Sequence, residues 1–186
     1  MPSEKARLLA RCATALVVVL SSIGLLSSPI GDYDDSGFLL AARLVLAGRL
    51  PYVDFWANYG PFGYTFLALF LREIENPAVA LRVSQTLLLA TLALLGHWIF
   101  TRRWARPGGG ELAVPLVVLA LSTLSGFPSF LGLALALISL ILFLGARNAD
   151  STVSRLALAI LGGAALALAT LTRPAFGLYA AASVLL

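Results

Sequence analysis

The residues best suited to chemistry lie in one stretch near the start of the chain. Three carboxylates, Asp32, Asp34 and Asp35, fall within Gly31-Asp32-Tyr33-Asp34-Asp35-Ser36-Gly37. Asp54, Trp56, Asn58 and Tyr59 follow in the segment Pro51 to Pro61. A carboxylate can take a proton from a hydroxyl as general base, and aromatic faces stack on sugar rings. An arginine can hold a phosphate through two parallel hydrogen bonds. Arg43 and Arg49 lie in the same stretch, and Arg82 and Arg173 further on. Read residue by residue, this is a place for a sugar carried on a lipid phosphate. A blander reading competes: the acids solvate an outer connection, while Trp56 and the tyrosines form an interfacial belt.

The elements that carry these residues follow from composition. The chain has 186 residues, of which 60% are apolar and 12% charged, against roughly 25% charged in soluble domains. The apolar residues come in long runs and the mean hydropathy is +0.93. That excludes an ordinary soluble domain and predicts an all-α integral membrane protein, a polytopic helical bundle forming one transmembrane domain over 1–186. Runs at 8–30, 77–100, 112–125, 127–146 and 156–172 read as spanning helices. A sixth begins at Phe176 and is cut by the end of the sequence, so the chain is expected to be an N-terminal fragment. The turn Ser125-Gly126-Phe127-Pro128 joins two of the spans into a hairpin. The basic start with Lys5, Arg7 and Arg11 lacks an A-x-A cleavage site, and the first run is read as an uncleaved anchor.

Position of charge orients the bundle. Lys5, Arg7 and Arg11, then Arg102, Arg103 and Arg106, then Arg147 and Arg155 fall in alternate connections, which are therefore expected to be cytoplasmic. The loop 31–76 then faces outward, and it holds six of the nine acidic residues: Asp32, Asp34, Asp35, Asp54, Glu73 and Glu75. Its carboxylates belong at the interface or in a polar cavity, because mid-bilayer each would cost ~2.5 to 3.5 kcal/mol. The net charge of +4 orients a membrane chain and implies no nucleic-acid partner. Within the loop, Phe38 to Leu50 and Phe62 to Leu71 are apolar but too short to cross, so two surface helices are predicted. Asp35 or Ser36 can cap the first. If Asp35 starts it, Arg43 lies about 80° around the axis and can border the carboxylates. The segment 51–61, with its prolines and alternating polar residues, cannot be regular helix.

Other features carry less. Cys12 is the only cysteine, so no intrachain disulfide or cysteine-based metal site is available. Pro107-Gly108-Gly109-Gly110 lacks the Gly-Lys-Ser/Thr ending of a phosphate loop. His97 beside Trp98 reads as interfacial, and Gly162-Gly163 as a helix-packing site. Glu73 and Glu75 read as solvated. Asp32, Asp34 or Asp54 are hard oxygen ligands compatible with a divalent cation such as magnesium.

The string from Asp32 to Phe38, followed by Ala47-Gly48, Pro51-Tyr52, Asp54 and Tyr59-Gly60-Pro61, resembles the first outer loop of GT-C fold glycosyltransferases. It is most similar to bacterial members of family 39 and the protein O-mannosyltransferase-like group. The resemblance covers the loop and the hydropathy order to about Phe100. It implies a GT-C-like bundle with two surface helices in the first outer loop, of which the six spans read from hydropathy would be the N-terminal part. It also implies transfer of a sugar from a polyprenyl-phosphate donor to an acceptor hydroxyl or amine on the outer face of a bacterial plasma (inner) membrane. The acceptor would be a glycan, lipid or protein. Asp34 would be the base with Asp35 beside it, although this chain has Asp-Asp where many members have Asp-Glu. Arg43, Arg49, Arg82 and Arg173 are candidates to balance the leaving phosphate, and Arg173-Pro174 resembles a basic-Pro junction of the group. Asp54, Trp56, Asn58 and Tyr59 would bind substrate. The alternatives are a secondary transporter, whose coupling carboxylates would sit at mid-membrane, and a non-catalytic membrane subunit.

Overall fold

The computed structural model describes residues 4–27, 30, 34–103 and 127–185. Among them every regular element is a helix: α1 Glu4–Ser27, α2 Asp34–Leu46, α3 Pro61–Glu73, α4 Pro77–Arg103, α5 Phe127–Arg147, α6 Thr152–Thr172 and α7 Pro174–Leu185. Three stretches are long and apolar enough to cross a membrane: Pro77–Ile99, Ser129–Arg147 and Thr152–Thr172. The first has 23 residues, about 35 Å at 1.5 Å per residue, which exceeds a ~30 Å hydrocarbon layer. The run expected to span at 8–30 lies on α1, whose helix stops at Ser27 and whose apolar stretch, Cys12–Ser27, is shorter than these three. The run 112–125 and the turn at Ser125-Gly126 lie outside the described residues.

Local chemistry explains where the helices begin and end. Asn76 Oδ1 accepts from the backbone N–H of Ala78 (3.0 Å) and Val79 (3.3 Å), capping α4 just ahead of Pro77 at the first helical position. Ser151 caps α6 by accepting from Ser154 N–H at 3.0 Å. That cap places Thr152 to Arg155, three of them polar, inside the helix, one turn before the expected start at Leu156. The expected cap of α2 is corrected: Asp34 begins the helix, so Asp35 and Ser36 lie inside its first turn, where carboxylates favour the positive end of the helix dipole. α2 ends at Leu46 rather than Leu50 because Gly48 takes φ +80°. Arg49 N–H then reaches back to Leu44 carbonyl (2.9 Å) and Gly48 N–H to Val45 carbonyl (2.9 Å), a glycine-terminated C-cap.

Two kinds of packing hold the elements. α2 and α3 bury Phe38, Leu39, Ala42, Tyr64, Leu67 and Ala68 between them and α4. They lie outside the spanning stretches, so this burial gains the ordinary hydrophobic stabilisation, of order 1.5 to 3 kcal/mol for each large side chain. Within the spanning stretches lipid is as apolar as leucine, and close approach takes over. Gly162 on α6 lets the Phe143 ring of α5 come so near that an added Cβ would meet it at 3.3 Å, and Ser139 Oγ donates to Gly162 carbonyl at 2.9 Å. Gly163 faces open space instead, so only the first glycine of the pair serves packing here. Gly177 on α7 sits against Thr170, whose Oγ1 would lie 1.9 Å from an added Cβ.

Helix directions gather one set of ends around the loop. α4 and α5 start there, α6 finishes there and α7 starts there, joined by the contacts described next. The opposite end carries the close of α4 at Arg102-Arg103, the close of α5 at Arg147 and the start of α6 with Arg155.

Candidate functional site

Asp34 and Asp35 are neighbours in the first turn of α2 yet have different surroundings. Asp35 turns toward α4, where its Oδ2 lies 3.0 Å from Nη1 of Arg82, with the carboxylate 15% and the guanidinium 7% exposed. The same Arg82 Nη1 donates to Gln85 Oε1 at 2.7 Å, and Gln85 is only 2% exposed. Asp35, Arg82 and Gln85 thus form a buried polar chain from the loop into α4. Asp34, by contrast, is exposed and lines a pocket of about 240 Å³. Its Oδ1 accepts from the Tyr59 hydroxyl at 3.4 Å, long for an O–H···O bond and leaving the carboxylate free to accept elsewhere.

Tyr59 is the hinge between the loop and the bundle. Burial raises its phenol above the ordinary value, and the nearby charge of Asp34 raises it further while Arg173 opposes. It therefore remains a proton donor at neutral pH. The Arg173 guanidinium lies 5.9 Å from the centre of the Tyr59 ring, within cation–π range, and Arg173 Nη1 donates to Ser129 Oγ on α5. Tyr59 N–H donates to the Tyr64 hydroxyl (2.9 Å), while the Tyr52 hydroxyl donates to Tyr59 carbonyl (2.6 Å). Phe38 packs against both Tyr59 and Tyr64, with ring centres 5.8 and 4.6 Å away.

The segment 51–60 is irregular, as expected, and is built from short reciprocal bonds. Asp54 Oδ2 accepts from Leu50 N–H at 2.7 Å, and Tyr52 N–H donates to Phe55 carbonyl at 2.9 Å. Tyr52 takes φ +66°, a conformation that costs a non-glycine residue of order 1 kcal/mol or more. Gly60 is where the loop meets α6: its N–H donates to Thr172 carbonyl at 3.0 Å, and an added Cβ would lie 1.8 Å from Leu171 oxygen. Gly60→Ala is therefore expected to lose this bond and lower stability by ~1 to 3 kcal/mol, the usual cost of overpacking. Thermal unfolding in micelles measures it, and an unchanged midpoint would contradict the close approach.

No family model, curated protein or solved structure matches this chain. Of the residues singled out from sequence, Asp34, Trp56, Asn58 and Tyr59 line the pocket. Asp35, Arg82 and Arg173 stand behind it through the contacts above. Trp56 Nε1 donates to Asn58 Oδ1 at 2.9 Å, holding the indole at the rim, where it is 86% exposed. Asp54 is not a lining residue; its carboxylate closes the turn at Leu50. The expectation for Arg43 is corrected: it is exposed on α2 and does not line the pocket. Eight residues of helix carry it about 12 Å along the axis from Asp35, and the cation beside the carboxylate is Arg82. Asp32 lies outside the described residues. No group of three or more His, Cys, Asp or Glu able to hold a metal occurs among the described residues.

Gln85, Tyr64 and Ser129 are participants that the sequence reading passed over. Gln85 had a signal: with Arg82 it makes an amide–guanidinium pair three residues apart, on one face of a largely apolar helix. Tyr64 and Ser129 had none, since their partners Tyr59 and Arg173 are set by tertiary contact.

Proposed function

We propose that this chain is part of a GT-C-like membrane glycosyltransferase that moves a sugar from a polyprenyl-phosphate donor to an acceptor hydroxyl or amine on the outer face of a bacterial plasma membrane. The observation that carries this reading is the division of labour within the acidic pair. Asp35 is neutralised by Arg82, whereas Asp34 lines a pocket with aromatic residues and accepts, among the described residues, a long bond from Tyr59. Asp34 is then the base. It takes the proton of the acceptor as the acceptor oxygen or nitrogen bonds to the anomeric carbon, and the bond from that carbon to the phosphate oxygen breaks with its electron pair. The departing polyprenyl phosphate carries the negative charge, and the arginines at this end of the bundle balance it. Arg173, half-exposed beside Tyr59, is better placed for that than Arg82, whose guanidinium is already shared between Asp35 and Gln85.

Positive charge at the far ends of α4 and α5 and at the start of α6 supports a cytoplasmic N-terminus and an outer loop 31–76. In this topology the chain has about six spans, with α1 and the 112–125 segment among them. The test is transfer itself. Full-length protein in liposomes, given a synthetic polyprenyl-phosphate sugar and a panel of acceptors, is expected to form a glycoside. Uptake of free sugar with no lipid-linked donor present, and no glycoside, would replace this reading with a transporter.

A further inference from the structure

The pocket beside Asp34 has two kinds of wall. Part of its lining comes from residues with polar groups: Asp34, Asn58, Tyr59 and Tyr64. The rest is apolar: Phe38, Leu40, Ala41 and Leu44 from α2, with Phe55 and Trp56 from the loop that follows. Leu40 and Trp56 line the pocket and are also 61% and 86% exposed, so the apolar wall continues outward at the mouth. Leu50, Tyr52 and Val53 extend this apolar surface along the same loop, each more than half exposed. Large apolar side chains left open at a pocket mouth, on a loop resting at one end of spanning helices, suit lipid rather than water.

Charge narrows the occupant. The only ionisable group of fixed charge among the lining residues is a carboxylate, and no arginine or lysine lines the pocket among the described residues. A phosphate placed there would face Asp34 with no cation to pair it, whereas a hydroxyl or amine could donate to that carboxylate. Size narrows it further. At about 240 Å³ the pocket is below the ~300 to 1,000 Å³ of sites that enclose drug-sized ligands, so it holds a headgroup while the remainder leaves through the mouth.

We infer that this pocket receives a membrane-borne amphiphile with an uncharged hydroxyl or an amine as headgroup, entering sideways from the lipid between Leu40 and Trp56. Under the proposed glycosyl transfer, on which its role as acceptor rests, this is the acceptor class; the donor phosphate belongs outside the pocket on the Arg173 side. The reading excludes anionic lipids and water-soluble acceptors as preferred occupants.

Binding tests it independently of transfer. With every other tryptophan of the full-length protein replaced by Phe, Trp98 and Trp104 among them, the fluorescence of Trp56 reports the pocket mouth. Full-length protein in phosphatidylcholine nanodiscs is titrated with brominated-chain diacylglycerol, a neutral hydroxyl amphiphile, and with phosphatidic acid bearing the same chains. Diacylglycerol is expected to quench Trp56 saturably with at least about tenfold higher apparent affinity than phosphatidic acid. Leu40→Asp, with its thermal midpoint measured beside wild type, is expected to abolish that preference. Equal or stronger quenching by phosphatidic acid, or quenching by diacylglycerol no better than by brominated phosphatidylcholine, overturns the inference. So does displacement by methyl glucoside at the same concentrations, because that ligand has no tail. If selective quenching stands while no sugar transfer is found under any condition, the transfer reading fails and the pocket assignment survives.

Discussion

Asp34→Asn in the full-length, membrane-inserted protein is expected to lower sugar transfer by about 10² to 10⁴, the usual contribution of a positioned general base. The asparagine keeps the shape of the side chain and a bond to Tyr59 but cannot take the acceptor proton. Because Asp34 is exposed and its bond to Tyr59 is long, stability should hold, and a thermal midpoint close to wild type separates lost chemistry from lost fold. Asp35→Asn makes the internal comparison. It removes the charge that Arg82 pairs with, so its effect should appear in stability as well as in rate. Transfer by Asp34→Asn at the wild-type rate would remove Asp34 from the reaction, whatever happened at Asp35.

Arg82→Leu is expected to be the most destabilising single change in the site. The pair it breaks lies at the junction of α2 with α4, and both its charged groups are largely shielded. Taking away one partner of a buried ion pair typically costs about 3 to 5 kcal/mol, because the remaining charge is left without compensation. Asp35 retains some exposure, which places the expected loss toward the lower end. Gln85 Oε1 also loses its donor. An Asp35→Leu/Arg82→Leu double variant removes both charges together and should recover much of the loss, since a buried pair replaced by apolar groups is often neutral. Denaturant or thermal unfolding in micelles measures all three variants. A single-variant loss under about 1 kcal/mol would mean that the pair does not anchor the loop, weakening the view that it holds Asp34 toward the pocket.

Much of the architecture was legible before any coordinate. The run at 77–100 became α4, that at 127–146 became α5, and that at 156–172 became α6 with one polar turn added by the Ser151 cap. Hydropathy reads such elements because a stretch of about 20 apolar residues has few options besides a buried or lipid-embedded helix. The ends were read less well. Gly48 was visible as a residue, but its left-handed φ, which stops α2 four residues early, depends on the chain turning back toward Phe55.

Residue types and their spacing determined that this is a helical chain suited to a membrane. They also determined that its carboxylates and aromatics are concentrated in one loop too polar to lie in lipid. What they left equal, tertiary packing made unequal. Asp34 and Asp35 are the same residue at adjacent positions, and only the arrival of Arg82 from α4 assigns one to an ion pair and the other to a pocket. Arg43 looked nearer to the carboxylates than Arg82 did, because sequence distance and helical angle account only for neighbours within a few turns of one element. The side of α2 that meets α4, and the place where Gly60 touches Leu171, follow from packing of surfaces between segments remote in the chain. Contacts of that kind have no periodic signature to read.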